Sequence, residues 1–289
     1  MNPNPKLHKL SPKTTNVRSV LASFLLIFTI VLSNSCSESN PPLEFIQPDG
    51  DGLFVEKRPL NNTDPLFRDR DNQIYTTDRT FKYSYYYLDK NNRKLKFGRE
   101  GFSLVPYDSI NNRIIDTVLF TTGGIARFGM DSLQTKMLYS YRGMDGKEYA
   151  SETTGIIENA KNVWLHPPRS NMTKYFRITE INPFPYVQFP LTIGHSWEWT
   201  LGIGDMWSEP EWRAWEGSII NDFLYEITDY RRLETALGEL PVYEVTAVAT
   251  SRIGQTQLVS YFNEQYGFVK LHYTNIDSSQ LIFNLEQVD

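Results

Sequence analysis

Apart from one N-terminal stretch, the apolar residues of this chain recur at every second position, the period of a strand with one buried face. Between Thr80 and Leu88, Phe81, Tyr83, Tyr85 and Tyr87 share one side and Lys82 and Ser84 the other. The same alternation predicts strands over 93–105, 113–121, 134–141 and 147–157. It resumes over 196–201, 214–220, 223–233, 241–251, 255–262, 268–273 and 280–285. Turn chemistry separates these runs: Asp89-Lys90-Asn91-Asn92, Met144-Asp145-Gly146, Leu237-Gly238-Glu239 and Arg252-Ile253-Gly254. One short helix is expected over 130–138. The segment Asn182–Pro190 carries three prolines, which excludes a central strand, so it is read as a crossing between two halves of the fold. About twelve strands without a long helix predict an all-β protein: a large antiparallel, strongly curved sheet, half-barrel or sandwich-like.

The N-terminal exception is Val20–Leu32, uninterrupted in apolar character and preceded by a segment whose only charges are positive (Lys6, Lys9, Lys13, Arg18). As a helix it would rise about 20 Å, short of the roughly 30 Å of bilayer hydrocarbon. It fits the apolar region of a secretory signal. Ser33-Asn34-Ser35 follow, then Cys36, the one cysteine of the chain.

The run Leu32-Ser33-Asn34-Ser35-Cys36 resembles the lipobox of a bacterial lipoprotein precursor, in the looser form found in Bacteroidetes. Leu32 sits one place early and Ser33 takes the usual leucine position. The resemblance implies removal of residues 1–35, acylation of Cys36 and a lipid anchor in the bacterial envelope, at the outer membrane, with the body periplasmic or surface-facing. Ser37-Glu38-Ser39 is similar to the short acidic export signal of that group. One acyl chain holds a protein only marginally, whereas two or three hold it stably. Residues 36–72 are then read as lipidated cysteine plus flexible tether, rich in Pro, Gly and Asn. Short apolar pieces such as Leu53-Phe54-Val55 are able to dock. Residues 73–289 are the globular body, divisible into 73–181 and 190–289.

A second resemblance lies in the last third. Phe189-Pro190-Leu191, Gly194, Trp197, Leu237-Gly238-Glu239-Leu240 and Tyr266-Gly267-Phe268-Val269-Lys270 follow a pattern similar to that of uncharacterised secreted bacterial proteins. It implies a curved antiparallel half-barrel of the outline shared by lipoprotein carriers.

Composition narrows the function classes. One cysteine excludes an internal disulfide and four-cysteine metal sites. The formal charge is −5. Four of the 29 basic residues and none of the 34 acidic ones lie in 1–35, so residues 36–289 carry −9. An acidic body is a poor nucleic-acid ligand. His166 and His272 lack metal-ligand neighbours and read as structural. Gly194-His195-Ser196 lacks the second glycine of a nucleophile elbow. The paired aspartates at 49–51 and 69–71 lack the continuation of a calcium loop. No metal, cofactor or catalytic residue is assigned.

The densest chemistry is the run Trp197–Trp215. Trp197 and Trp199 share one strand face and are expected in the core. Trp207, Trp212 and Trp215, interleaved with Asp205, Glu209, Glu211 and Glu216, are the candidate surface for a ligand or partner. An indole face beside carboxylates suits a sugar. The reading is a membrane-anchored envelope lipoprotein that is not an enzyme. It binds a glycan, lipid or envelope protein through its curved sheet. The alternatives are an envelope polysaccharide hydrolase and a carrier of acyl chains or lipoproteins. The carrier requires an unfilled concave face.

Overall fold

The computed structural model describes residues 43–62, 64, 67–99, 103–109, 114–123 and 134–289. The expected signal segment and the expected lipidation site, Cys36, lie outside them. Residues Leu43–Asp289 form one compact unit.

Its strands are β1 (Phe45–Ile46), β2 (Val55–Glu56), β3 (Thr80–Leu88), β4 (Lys94–Phe97), β5 (Leu104–Pro106), β6 (Thr117–Thr122), β7 (Thr135–Arg142), β8 (Glu148–Glu158), β9 (Asn162–Leu165), β10 (Tyr186–Gln188), β11 (Ser196–Ile203), β12 (Ile219–Thr235), β13 (Gly238–Ser251), β14 (Gly254–Asn263), β15 (Gly267–Thr274) and β16 (Gln280–Val288). β1 and β2 form a separate hairpin. The main sheet runs β10-β9-β8-β7-β6-β3-β16-β15-β14-β13-β12-β11, with β4 and β5 branching from β3. Every neighbouring pair on this path is antiparallel. The fold is therefore all-β, one large curved sheet shared by the two anticipated halves. The sheet curls until its terminal strands approach. The rings of Tyr186 on β10 and Trp197 on β11 lie 5.6 Å apart, and those of Trp164 on β9 and Trp199 on β11 lie 5.8 Å apart. The result is a nearly closed barrel.

Period two decides the inner face. Phe81, Tyr83 and Tyr85 of β3, Met137, Tyr139 and Tyr141 of β7, and Phe223 and Tyr225 of β12 are all buried. Of the run expected at 214–220 only Ile219 and Ile220 form strand, and they join the run expected at 223–233 as one strand, β12, while residues 214–218 are loop. Asn221 keeps the alternation by turning inward, where its side-chain amide donates to the Ile181 carbonyl at 3.1 Å. The run expected at 93–105 splits instead at Gly98, which bridges to Ile114. The short helix expected over 130–138 is not formed by its described part, because Thr135–Leu138 pair with β8. Residues 43–72, expected as tether, pack on the body in their described part: Leu53, Val55 and Phe67 are buried.

The concave face is filled. The chain between β9 and β10 passes through the barrel, and its 3-10 turn, Arg177–Ile181, is buried throughout. Phe176 meets the rings of Tyr85, Phe97, Tyr141 and Phe283, from four different strands. The backbone of this plug cannot form a ladder, so its carbonyls take hydrogens from side chains of the wall. Tyr139 donates to His166 and Tyr141 to Arg169. Tyr225 donates to Phe184 at 3.1 Å, and Thr256 to Ile181 at 3.1 Å.

Candidate ligand sites at the two ends of the barrel

The antiparallel connections sort into two ends. Leu43, the 159–161 turn, the 189–195 loop and the β12–β13 and β14–β15 turns lie at one, the tether end. The β3–β4, β7–β8, β13–β14 and β15–β16 turns and the tryptophan loop 204–217 lie at the other, the far end.

The tryptophans divide by packing. Trp197 and Trp199 stack on Tyr225 and Phe223, at 5.4 and 4.8 Å between ring centroids. Both are core residues, as their period-two spacing implies. Trp215 belongs to a second small core with Ile178, Ile181, Ile203, Ile219 and Ile253. At 7% exposure it is not available as a ligand surface. Trp207 is half-buried and has two guanidiniums near its ring, Arg169 at 5.0 Å and Arg177 at 5.3 Å from its centroid. Arg177 pairs in turn with Glu209 at 3.1 Å, so the loop is bolted to the plug by charge and ring together. Trp212 remains at the wall of an open cavity.

That far-end cavity holds about 450 Å³, within the range of small-ligand sites. Trp212 and Phe97 supply apolar surface. Asp89, Glu211 and Asp277 supply carboxylates, and Arg93, Lys174 and Arg177 supply cations. At its inner wall a hydroxyl chain ends on a carboxylate: Tyr87 donates to Ser279 Oγ at 2.5 Å, and Ser279 donates to Asp277 Oδ1 at 2.5 Å. Burial pushes the Tyr87 phenol up to about 12. The Arg93 backbone N–H, followed by its guanidinium, holds Asp89 below the usual carboxylate range. Turn chemistry marks residues 89–92 only as a connection, and residues 277–279 belong to the β15–β16 turn. Nothing in the sequence shows that two turns 185 positions apart form one wall.

The tether-end cavity is larger, about 560 Å³, and mostly apolar, with walls of Ile74, Val163, Phe189 and Phe262. Glu158 on its floor is structural. Its carboxylate accepts the backbone hydrogens of Gln73, Ile74 and Tyr75, each at 2.8 Å. A third space of about 240 Å³ borders the plug at His166 and Glu180. Burial raises Glu180 to about 7 against the opposing pull of Arg169, 2.7 Å away. Burial, then the charge of Arg169, pushes His166 well below its usual range, so it is neutral. His272 bonds Gln280 Oε1 at 2.7 Å through Nε2. Among the described residues, no cluster of three or more His, Cys, Asp or Glu side chains is placed to hold a metal ion.

No family model matches the chain, and no curated protein matches it significantly. Among solved structures it is similar to a candidate exported protein with a YmcC-like fold from Bacteroides fragilis, at 9% identity and a TM-score of 0.42, over 75% of this chain and 97% of that one. It is also similar to a candidate lipoprotein from Parabacteroides distasonis, at 10% identity and a TM-score of 0.42, over 75% of this chain and 97% of that one. A third is the hypothetical lipoprotein YmcC of Escherichia coli, at 11% identity and a TM-score of 0.33, over 75% of this chain and 90% of that one.

Proposed function

We propose that the chain is a lipid-anchored protein of the bacterial envelope, and that its β body binds a polar, glycan-type ligand at the far-end cavity without cleaving it. The observation that carries this reading is the cavity's make-up: the Trp212 indole beside carboxylates and guanidiniums, with a wall of fixed hydroxyls. An aromatic face covers the apolar side of a pyranose. Charged groups make the stronger hydrogen bonds to its hydroxyls.

Hydrolysis needs one carboxyl held protonated opposite a second that stays ionised. Asp89 is held below the usual carboxylate range and so suits only the ionised member of such a pair. An acyl carrier needs an open concave face, and the plug occupies it. The membrane is the partner of the anchored Cys36, and the outer membrane is the proposed site.

The test is calorimetric titration of the chain from Ser37 onward with envelope polysaccharides and peptidoglycan fragments, with product masses followed in parallel. Binding lost in Trp212→Ala and unchanged in Met144→Ala supports the reading. Product release, or no binding across the panel, refutes it.

A further inference from the structure

The strand that ends the sheet has an open edge. β11 pairs with β12 alone, and the Ile227 N–H donates to the His195 carbonyl at 3.0 Å. Antiparallel bonding alternates along a strand. Trp197, Trp199, Leu201 and Ile203 therefore direct their backbone groups to β12, whereas Ser196, Glu198, Thr200 and Gly202 turn theirs to the seam. Among the described residues, no backbone hydrogen bond reaches these four from the seam side. The N-terminal segment shields the edge at Glu198, whose carbonyl oxygen lies beside Gly52. Thr200 and Gly202 are exposed, and a Cβ on Gly202 would meet nothing nearer than Ile220 Cδ1 at 3.8 Å.

The seam beside that edge is hollow. The space of about 240 Å³ is lined by Trp199 and Leu201 of β11 and by Ile157 and Trp164 from the other end of the sheet. It falls below the usual range of small-molecule sites and suits one or two side chains. Trp164 is 4% exposed, and its indole N–H has no acceptor among the described residues. Charge around the seam is of one sign. On the outer face, β11 and the paired part of β12 carry Glu198, Asp222 and Glu226, all exposed, beside Ile220 at 55% and Leu224 at 54% exposure. Across the seam lie Asp49 and Asp51. The stretches 48–55, 196–203 and 219–227 contain no lysine or arginine. Deeper in, Arg169 is taken up by Glu180, 2.7 Å away.

From this we infer that the β11 edge accepts an extended segment of a partner protein as an added strand, one in which apolar residues alternate with lysine or arginine. Paired at Thr200 and Gly202, the segment's backbone completes their hydrogen bonds. Its apolar side chains enter the hollow beside Leu201, and its cations stand on the outer face beside Glu198 and Asp222. A second copy of this chain is the wrong occupant, because it would bring the same carboxylates against these. The edge is separate from the far-end cavity, and neither proposal depends on the other.

The test uses the full chain and two nine-residue peptides, lysine alternating with valine and glutamate alternating with valine. Binding is followed by fluorescence anisotropy and by hydrogen exchange of the protein. The expected result is that the lysine peptide binds at least about ten-fold tighter than the glutamate peptide and slows exchange at Thr200 and Gly202. Thr200→Pro removes an N–H from the open edge and leaves the β12 ladder its bonds, so it abolishes that binding. If that variant fails to fold, Glu198→Lys with Asp222→Lys asks the same question from exposed positions, and the lysine peptide weakens about ten-fold or more. Four results overturn the inference: equal affinity for the two peptides, no binding of the lysine peptide, binding without protection at 200 and 202, or protection there that grows with protein concentration in the absence of peptide.

Discussion

The Trp199 indole donates its Nε1 hydrogen to Oδ2 of Asp51 at 2.9 Å. The bond ties β11 to the N-terminal segment, which is also held by the opposite lip of the barrel. The Gly52 carbonyl accepts from Tyr186 Oη at 2.8 Å and from Gln188 Nε2 at 2.9 Å, and the Phe54 N–H donates to Asn162 Oδ1 at 3.0 Å. Residues 51–54 thus fasten the seam between the two terminal strands, which share no ladder with each other.

Loosening this fastening destabilises the whole body. Asp51→Ala leaves the indole N–H of a residue only 3% exposed without its acceptor, a cost of about 1–3 kcal/mol. Gly52→Ala is worse placed, since φ is +102° and a Cβ would sit 2.3 Å from the Glu198 carbonyl oxygen. Urea denaturation should show lowered midpoints for both variants and an unchanged midpoint for Asp49→Ala.

The tryptophans should rank by packing. Trp197→Ala empties a stacked core site and should cost about 3–5 kcal/mol. Trp207→Ala removes two cation–π contacts and some apolar cover, about 1–2 kcal/mol. Equal midpoint shifts by chemical denaturation would contradict the two environments.

Glu158 is predicted to be among the costliest carboxylates to remove. Glu158→Ala strands three backbone N–H groups at the entry to β3, two of them on the buried residues Ile74 and Tyr75. The expected loss exceeds about 3 kcal/mol. Hydrogen exchange should report it first in residues 73–75.

Glu180 gives the body a pH dependence of opposite sign to that of a typical ion-paired carboxylate. Its folded pKa, about 7, lies above the ordinary value of 4.5. Between those values the folded state binds the proton more tightly than the unfolded chain. Stability from this group is therefore complete below about pH 4.5 and is lost as pH rises towards 7. His166, held neutral by burial, acts in the opposite sense below its ordinary value of 6.5, so the test is a difference between variants. From pH 4.5 to 8 the urea midpoint of Glu180→Gln should rise relative to that of the wild type, and a difference that does not change with pH would contradict the assignment.

The architecture was legible where alternation is strong. β3, β7, β8 and β13–β16 fall within a few residues of their expected positions; one buried face imposes period two most clearly on β3, whereas β8 is buried only in its last four residues. β9 was missed: all four of its residues are buried, so it shows no alternation. β10 hides among prolines, an edge strand beside the seam. Of the plug, the sequence marked only the end, residues 182–185, as part of a proline-rich crossing that also contains β10. That the plug fills the barrel depends on hydrogen bonds with residues up to 93 positions away. Of the tryptophan surface, Trp212 lines a cavity, Trp207 is held beside Arg169 and Arg177, and Trp215 is core. Spacing along a loop does not reveal which indole turns inward.

The central claim is that the barrel is filled by its own plug and takes a polar ligand at the far end rather than an acyl chain inside. Native mass spectrometry of the chain from Ser37 onward, purified from envelope extract and then mixed with oligosaccharides, tests it most directly. The account predicts the bare polypeptide mass after purification and an oligosaccharide adduct that disappears in Trp212→Ala. A retained acyl or phospholipid mass, or an adduct indifferent to Trp212, would contradict it.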